Sequence, residues 1–241
     1  MSVAVVTGAA NGIGLAVAER LRDDGFSVVG LDVEPITASG IVGERCDVAA
    51  IEGHEALVAR IEQQHGPIVA LANVAGISLP MPLAELSIEV YRRALGVLLD
   101  GPIFLARAAG LRMAARGVGR IVNVSSVHAT HSEAGSLAYD AAKAGLEAAT
   151  RTLAIELGPQ GVLVNAVQPG FVRTRMSIHA GEDELESEWF RSIYLAAGKL
   201  PLRRPAEPAE VATSIAHLLS PANTYVTGAT LVVDGGLTVT F

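Results

Sequence analysis

The sequence predicts an α/β fold: one doubly wound Rossmann-type domain with a parallel sheet of about seven strands and helices on both faces. Three observations carry this prediction. Strand-like apolar runs alternate with helix-like periodic segments along all 241 residues, polar or glycine-rich residues follow the strands, and no linker or repeat interrupts the pattern. Two small domains would also fit the length. The uninterrupted alternation favours a single domain over residues 1–241, with its ligand site at the carboxyl ends of the strands.

The composition narrows the class of protein. Half of the residues are hydrophobic, 18% are charged and 25 are glycine, which predicts a large core interrupted by tight turns. The single cysteine, Cys46, excludes an internal disulfide and a cysteine-based metal cluster, and no other metal site is indicated. A net charge of −7 argues against a nucleic-acid partner.

The chain is also expected to be cytoplasmic. Its first residues pass directly into an apolar strand, at residues 3–6, without a targeting segment. Apolar runs are all shorter than the ~18 residues that a membrane span needs. A reducing, cytosolic setting with no membrane partner is therefore the expectation.

The first strand leads into a glycine-rich turn. Residues 7–14 read TGAANGIG, and an apolar-periodic helix follows them. Such a turn lets backbone amides approach a pyrophosphate, and the helix N-terminus behind it favours the negative charge. An ordinary tight turn between a strand and a helix would have the same outline.

The next strand, residues 26–31, ends at Asp32. A carboxylate at this position can accept hydrogen bonds from the hydroxyl groups of an adenosine ribose, and it would repel a 2′-phosphate. Asn11 agrees with that preference, because the turn has no Arg or Lys to bind the phosphate. A helix-capping role for Asp32 is poorly placed, since Pro35 and a loop follow. The pattern therefore favours NAD over NADP.

Two further strands bring polar residues to the same rim of the sheet, the edge formed by the carboxyl ends of the parallel strands. A strand at about residues 40–45 leads to Asp47 and Val48, before a helix at about residues 51–64. Asp47 either touches the adenine or caps that helix. The uniformly apolar strand at residues 68–72 suits burial on both faces and ends in Asn73-Val74-Ala75-Gly76.

A long helix is expected from Ile88 to about Arg116, with a kink at Gly101-Pro102. Proline has no N–H, so Pro102 cannot bond the carbonyl group of Leu98. That carbonyl group is left free.

The stretch from Ser125 to Lys143 carries the chemistry. A strand at residues 121–124 ends in two serines, and Tyr139 and Lys143 follow four residues apart, on one helix face. A nearby lysine lowers the pKa of a phenol, so that Tyr139 could move a proton while the Ser126 hydroxyl holds a substrate oxygen. Alone, a Tyr-x-x-x-Lys pair is weak evidence, since any helix can carry it.

The remainder completes the alternation. A strand at residues 162–167 runs into Gln168-Pro169-Gly170, a helix begins near Pro208, and a last strand covers residues 230–233. Between them, residues 175–200 combine acidic and aromatic side chains. This segment is interpreted either as an amphipathic helix or as a lid over an apolar ligand.

Taken in order, these motifs resemble the short-chain dehydrogenase/reductase family over essentially the whole chain. Each motif alone is modest evidence for this family, but the motifs in this order and spacing are together highly specific for it. The matching elements are the TGAANGIG turn at residues 7–14, Asn73-Val74-Ala75-Gly76, Ser126, Tyr139 with Lys143, Pro169-Gly170 with Thr174, and the terminal segments at residues 225–228 and 234–236.

The resemblance implies a role for each matching residue. Tyr139 would be the acid/base, Ser126 would hold the substrate oxygen, and Lys143 would bind the nicotinamide ribose and lower the pKa of Tyr139. The remaining positions would bind the cofactor NAD: Gly8, Asn11, Gly12, Ile13 and Gly14 at the pyrophosphate, Asp32 at the ribose, Asp47 and Val48 at the adenine, Asn73, Ala75 and Gly76 at the middle, and Pro169, Gly170, Val172 and Thr174 at the nicotinamide.

Two positions depart from the family pattern. Val74 stands where the family usually has a second Asn, and we expect the effect of this change to be mild. Leu98 stands where the family usually has a catalytic Asn. In the family the backbone carbonyl of that residue mainly holds a water that links to the lysine. Our hypothesis is that Pro102 keeps the kink and frees the Leu98 carbonyl for such a relay.

The expected function is an NAD-dependent oxidoreductase that interconverts a secondary alcohol and a ketone. Candidate substrate residues are Met81, His128, His131 and Trp189; for either histidine, a solvated loop position is the alternative. The acidic lid disfavours a polyanionic substrate. Competing functions are an acyl-thioester or polyketide ketoreductase and a catalytically idle dinucleotide-binding scaffold. The resemblance also implies a homotetramer, or a homodimer.

Overall fold

The computed structural model describes residues 2–179 and 181–240. Within these residues, seven parallel strands form one sheet in the order β3-β2-β1-β4-β5-β6-β9. The strands are β1 (Val3–Thr7), β2 (Ser27–Asp32), β3 (Ile41–Arg45), β4 (Ile68–Asn73), β5 (Gly119–Val124), β6 (Val162–Pro169) and β9 (Thr230–Val233). A separate antiparallel hairpin pairs β7 (Ile178–His179) with β8 (Glu182–Asp183). The predicted doubly wound fold is confirmed.

Helices cover both faces of the sheet. They are α1 (Gly12–Asp23), α2 (His54–His65), α3 (Ile88–Leu95), α4 (Gly101–Arg116), α5 (Leu137–Leu157), α6 (Glu188–Phe190) and α7 (Pro208–Leu219). One core packs α1 and α7 on the sheet, and the other packs α2, α4 and α5 on the opposite face. Neighbouring residues of β1 alternate between the two cores, with Ala4 and Val6 in the first and Val3 and Val5 in the second. This two-sided burial is why the strands read as continuous apolar runs.

The long helix is irregular near the predicted kink. A π-helical turn, Gly96–Asp100, joins α3 to α4, and the Gly101 N–H bonds the Gly96 carbonyl. Pro102 lies at the start of α4 and offers no N–H to Leu98. Gly101 has its own reason to be glycine, because an added Cβ would lie 2.6 Å from the Val48 carbonyl oxygen.

The helix Ile88–Arg116 is long and apolar enough to cross a membrane by length and composition alone. More than half of its apolar window, 56%, is buried inside the fold. Leu105, Ala109 and Met113 pack in the core beside the sheet. Its apolar character is thus accounted for by packing.

The segment at residues 175–200 is not one amphipathic helix. It contains a 3-10 turn (Arg175–Ser177), the β7–β8 hairpin, a second 3-10 turn (Glu184–Glu186), α6 and a π-helical turn (Arg191–Ala196). Leu185, Phe190 and Leu200 form a small core of their own, against which Phe171 and Tyr194 pack. Residue 180 of this expected lid, and residues 1 and 241 of the expected domain, lie outside the described residues.

Candidate active site

The glycine-rich turn between β1 and α1 is shaped by close backbone contacts. Gly8 has φ +71°, and an added Cβ would lie 2.9 Å from the Cα of Ala75. At Gly14 an added Cβ would lie 2.0 Å from the carbonyl oxygen of Gly8. Only glycine satisfies both positions, because any side chain would collide with fixed backbone.

The N-terminus of α1 faces this turn with its amide groups available. Among the described residues, no side chain caps this helix: the side chain of the N-cap residue Asn11 makes no capping hydrogen bond, and the first helical turn holds no acidic residue. Such an end carries unpaired N–H groups and a partial positive charge, which favour a phosphate. Gly12 and Ile13 supply the first of these amides. The turn therefore fits the pyrophosphate of a dinucleotide.

Asp32, the last residue of β2, has an anchored carboxylate. Oδ2 accepts a hydrogen bond of 2.9 Å from the Ala10 N–H, and Oδ1 accepts one of 3.0 Å from the Glu34 N–H. These bonds fix the side chain beside the glycine-rich turn, where a ribose hydroxyl group could donate to it.

A second carboxylate stands beside Asp32. Glu34 accepts a 3.0 Å bond from the Asn11 side chain and a 2.8 Å bond from Arg175. These bonds lower the pKa of Glu34. Sequence reasoning missed Glu34 and Arg175, because 141 residues separate them.

Asp47 and Val48 follow β3. The Asp47 carboxylate accepts a hydrogen bond from the Ala49 N–H at 3.0 Å and one from Arg93 at 2.9 Å. Within the part of the chain that the structure describes, neither the short helix Ile51–Gly53 nor α2 receives a side-chain cap, so the capping role is not observed, and the contact with the adenine stays a prediction. Val48 is buried and packs with Leu98.

The end of β4 is tied to the end of β1. The hydroxyl oxygen of Thr7 accepts from the backbone N–H groups of Val74 and Ala75, at 2.9 and 3.0 Å. Asn73 turns its side chain inward, where its amide group donates to Asn123 at 2.8 Å and to the Pro102 carbonyl at 3.2 Å. These bonds tie the end of β4 to β5 and to the start of α4, and the cofactor contact of Asn73 stays a prediction.

Residues after β6 close the rim from the other side. Gly170, next to Pro169, permits close packing, since an added Cβ would lie 2.9 Å from the Cα of Asp234. Val172 is buried in the same core as Ile13. Thr174 caps the turn Arg175–Ser177, and its methyl group would lie 3.2 Å from a Cβ placed on Gly12.

Met176, in the same turn, approaches Gly76. Its methyl group would lie 3.4 Å from a Cβ placed on that glycine. The start of the lid thus lies across the predicted cofactor groove.

The three predicted catalytic residues come together at β5 and α5. Ser126 follows β5 in extended conformation, and its hydroxyl group is hydrogen-bonded to that of Tyr139. The Lys143 ammonium group lies 5.6 Å from the centre of the Tyr139 ring and donates a 2.7 Å bond to the Val124 carbonyl. Two hydroxyl groups and a cation therefore converge where a carbonyl or alcohol oxygen could bind.

The expectation that Lys143 lowers the pKa of Tyr139 is wrong for this structure. Burial raises the pKa of Tyr139, the bond from Ser126 lowers it, and the charge of Asp140 raises it further. Burial also lowers the pKa of Lys143 to about 8. Loss of surrounding water opposes the charged form of each group.

A buried carboxylate supports this site from behind. One oxygen of Glu147 accepts from the Ser125 hydroxyl group at 2.7 Å and from the Gln168 amide group at 2.8 Å. Glu147 is only 8% exposed. Sequence reasoning missed it, although its spacing of four from Lys143 places it on the same helix face.

The substrate candidates differ in their surroundings. The His128 ring contacts Tyr139 edge-on at 5.5 Å, and Nδ1 lies 2.8 Å from a carboxylate oxygen of Asp140. His131 is exposed and bonds the neighbouring Thr130, as the solvated alternative expects. His128 is thus the one of the two that adjoins Tyr139.

Met81 lies beside a cavity near the loop after Ser126, and Trp189 lies in the lid. The Met81 N–H bonds the Gly135 carbonyl, and a cavity of about 400 Å³ opens beside it. Trp189 is 46% exposed and packs against Tyr194 in the lid. Burial raises the pKa of Tyr194, and the charge of Glu133 adds to that shift, so this lid residue faces the loop after Ser126.

This fold and site define a dinucleotide-binding oxidoreductase. A doubly wound sheet supplies the glycine-rich turn and uncapped helix, and a serine, a tyrosine and a lysine meet at the same rim.

Comparison with known proteins identifies the family. Residues 8–238 match the family model described as enoyl-(acyl carrier protein) reductase. The chain belongs to the short-chain dehydrogenase/reductase family. It is 38% identical to the short-chain reductase protein NovJ of Streptomyces niveus over 246 residues, covering 98% of this chain and 93% of that protein.

Other similar proteins carry different activities. A cis-4-hydroxycyclohexanecarboxylate dehydrogenase of Sinomonas cyclohexanicum is 38% identical over 98% of this chain and 96% of its own length. The aldohexose dehydrogenase of Thermoplasma acidophilum superposes with a TM-score of 0.91 at 31% identity, covering 100% of this chain and 95% of its own. A 4-hydroxyisoleucine dehydrogenase complexed with NADH superposes with a TM-score of 0.88 at 26% sequence identity, covering 100% of both chains.

Proposed function

We propose that this protein is an NAD-dependent oxidoreductase that interconverts a secondary alcohol and a ketone. The observation that carries the proposal is the meeting of Ser126, Tyr139 and Lys143 beside a groove with a carboxylate, Asp32, at its ribose end. When bound, the nicotinamide cofactor would accept or supply the hydride.

In this proposal each residue acts on a stated atom. Ser126 donates a hydrogen bond to the substrate oxygen, and Tyr139 takes the hydroxyl proton in oxidation or returns it in reduction. Lys143 binds the nicotinamide ribose, for which its ammonium group would exchange the bond to Val124. The carboxylate of Asp32 binds the adenosine ribose.

Backbone groups of the protein would serve the remaining parts of the site. Gly8, Gly12, Ile13 and Gly14 line the pyrophosphate, and the carbonyl group of Leu98, without a proline N–H to bond, is available to a water-linked relay. His128, held by Asp140, is the residue we assign to a polar substituent of the substrate.

A second candidate is reduction of an acyl thioester or polyketide ketone. Its support is the 33% identity to an acetoacetyl-CoA reductase of Allochromatium vinosum and 36% to a 3-oxoacyl-[acyl-carrier-protein] reductase of Vibrio harveyi, both over 98% of this chain. Asp32 and the acidic lid oppose it, because they disfavour a 2′-phosphate and a polyanionic substrate.

The two candidates differ in cofactor and substrate. The test is to compare initial rates with NAD and NADP on secondary alcohols, and with NADH and NADPH on acetoacetyl-CoA and simple ketones. A preference for NAD and a simple alcohol supports the first candidate; NADPH-dependent thioester reduction supports the second. Binding of NADH with no turnover on any substrate would leave a scaffold role.

The assembly we propose is a cytoplasmic homotetramer. Large apolar side chains remain exposed on α4, on α5 and on the edge strand β9, including Phe104, Leu111, Ile155 and Leu231. Pairing of copies through these faces would cover them. Light scattering should give a mass near four times 24.9 kDa, whereas the mass of one chain would contradict this.

A further inference from the structure

Three distant parts of the chain meet at the mouth of the predicted cofactor groove. One oxygen of the Glu34 carboxylate accepts a 2.8 Å hydrogen bond from Arg175 and a 3.0 Å bond from Asn11. Asn11 belongs to the glycine-rich turn, Glu34 follows β2, and Arg175 begins the lid. The ion pair therefore bridges the groove between its floor and its cover.

This bridge adjoins the carboxylate assigned to the adenosine ribose. The backbone N–H of Glu34 donates to Asp32 at 3.0 Å, and Asp32 also accepts from Ala10 in the glycine-rich turn. A 2′-phosphate attached to that ribose would enter the neighbourhood of Asp32, Glu34 and Arg175. The cation that a 2′-phosphate needs is thus present, but it is held by Glu34.

Stability does not explain the pair. The side chains of Arg175 and Glu34 are 60% and 51% exposed, and an exposed ion pair adds little to the free energy of unfolding. Because the ion pair lies at the predicted cofactor groove, its charges are better explained by recognition of the ligand.

We propose that Glu34 and Arg175 are specificity-determining residues for the dinucleotide: paired, they disfavour NADP(H), and Arg175 released from Glu34 would bind its 2′-phosphate. The inference rests on the proposed function, which places the adenosine ribose at Asp32. With the pair intact, the rim carries two carboxylates against one guanidinium group. Neutralising Glu34 leaves one of each and frees a side chain whose planar N–H groups suit phosphate oxygens.

The test compares binding and needs no turnover. Dissociation constants for NADH and NADPH are measured from the fluorescence of the reduced nicotinamide, for wild type, Glu34→Gln, Arg175→Gln and the double variant. Glutamine keeps the shape of each side chain while removing its charge. Asp24→Asn is the matched control, because it removes one carboxylate from an exposed ion pair with Arg20, at the far end of α1.

We expect Glu34→Gln to tighten NADPH binding about tenfold, while NADH binding changes by less than about threefold. The double variant should lose most of that gain, and Asp24→Asn should change neither constant. Because the contact is electrostatic, the gain should shrink at high salt.

Three outcomes would overturn the inference, and they differ in what else they affect. Unchanged NADPH binding in Glu34→Gln removes both residues from cofactor choice. A full gain that survives in the double variant removes Arg175 and leaves only repulsion by Glu34. Wild type that binds neither dinucleotide overturns the proposed function as well, whereas the first two outcomes leave it standing.

Discussion

The Lys143 ammonium group donates a 2.7 Å hydrogen bond to the carbonyl oxygen of Val124, the last residue of β5. Lys143 is 4% exposed, and the oxygen that accepts this bond is neutral. Burial disfavours the ammonium form and lowers the pKa of Lys143 to about 8. The site therefore holds a lysine whose charge depends on pH near neutrality.

This shift predicts a pH dependence of stability for the cofactor-free protein. The ordinary pKa of lysine is 10.5, so between pH 8 and 10.5 the unfolded chain keeps a proton that folded Lys143 has released. The free energy of unfolding contributed by this residue therefore rises with pH across that window. Below about pH 8, the cost of burying the charge is fully present.

Comparison with Lys143→Met isolates the effect. Both proteins share Cys46, whose pKa is raised by burial, so its contribution cancels in the difference. In urea titrations from pH 7 to 9.5, wild type should gain stability relative to Lys143→Met as pH rises. A difference that is independent of pH would mean that Lys143 keeps an ordinary pKa.

Glu147 is expected to support the site through its two hydrogen bonds. Glu147→Leu would remove the acceptor of the Gln168 amide group and leave the Ser125 hydroxyl group only its longer 3.3 Å bond to the Lys143 carbonyl. We expect the free energy of unfolding to fall by about 2–4 kcal/mol, and Glu147→Gln to cost less, because glutamine can still accept. Glu156→Leu, at an exposed position of α5, is the control. Equal effects of the two leucine variants would refute this account.

Gly14 is expected to tolerate no side chain. Gly14→Ala would place a Cβ 2.0 Å from the Gly8 carbonyl oxygen, so the turn must shift. The predicted result is a loss of about 2 kcal/mol or more together with loss of NADH binding. At Gly53 nothing lies within 4 Å of an added Cβ, so Gly53→Ala should stay within about 0.5 kcal/mol. Thermal unfolding and NADH titration of both variants make the comparison.

Pro102 offers a test of the Leu98 hypothesis. Pro102→Ala restores an N–H that can bond the Leu98 carbonyl, and kcat should fall by about tenfold while NADH binding is kept. Leu98→Ala removes only the side chain, which is 1% exposed, so it should lower the free energy of unfolding by about 3 kcal/mol. Because the backbone carbonyl of residue 98 remains, the kcat of Leu98→Ala should change far less than that of Pro102→Ala. The reverse order of the two kcat effects would end the hypothesis.

Much of the fold follows from local pattern. The apolar strands of a doubly covered parallel sheet, the glycine-rich turn and Pro208 at the first turn of α7 each leave a signal within a few residues. Irregular structure does not. The lid shows no single hydrophobic periodicity, because it is built from short turns around Phe190. The ring of Phe190 contacts that of Phe171, and this contact depends on the tertiary fold.

The site was predictable where residues share one strand end or helix face. Ser126, Tyr139 and Lys143 are of this kind, and Glu147 could have been found by the same spacing. The Glu34–Arg175 pair could not, since two elements far apart in sequence must first be placed together. The direction of the Tyr139 pKa was missed because a helical spacing gives proximity to Lys143 but not the loss of water around both groups.

The most direct test of the central claim is the rate of NAD reduction by wild type and Tyr139→Phe on one panel of secondary alcohols at alkaline pH. The account predicts turnover by wild type and a loss of kcat by at least about a hundredfold in the variant, with NADH binding nearly unchanged. A variant that keeps most of the wild-type rate would contradict the assignment of Tyr139 as the acid/base. Wild type that binds NADH and oxidises no alcohol would contradict the proposed reaction.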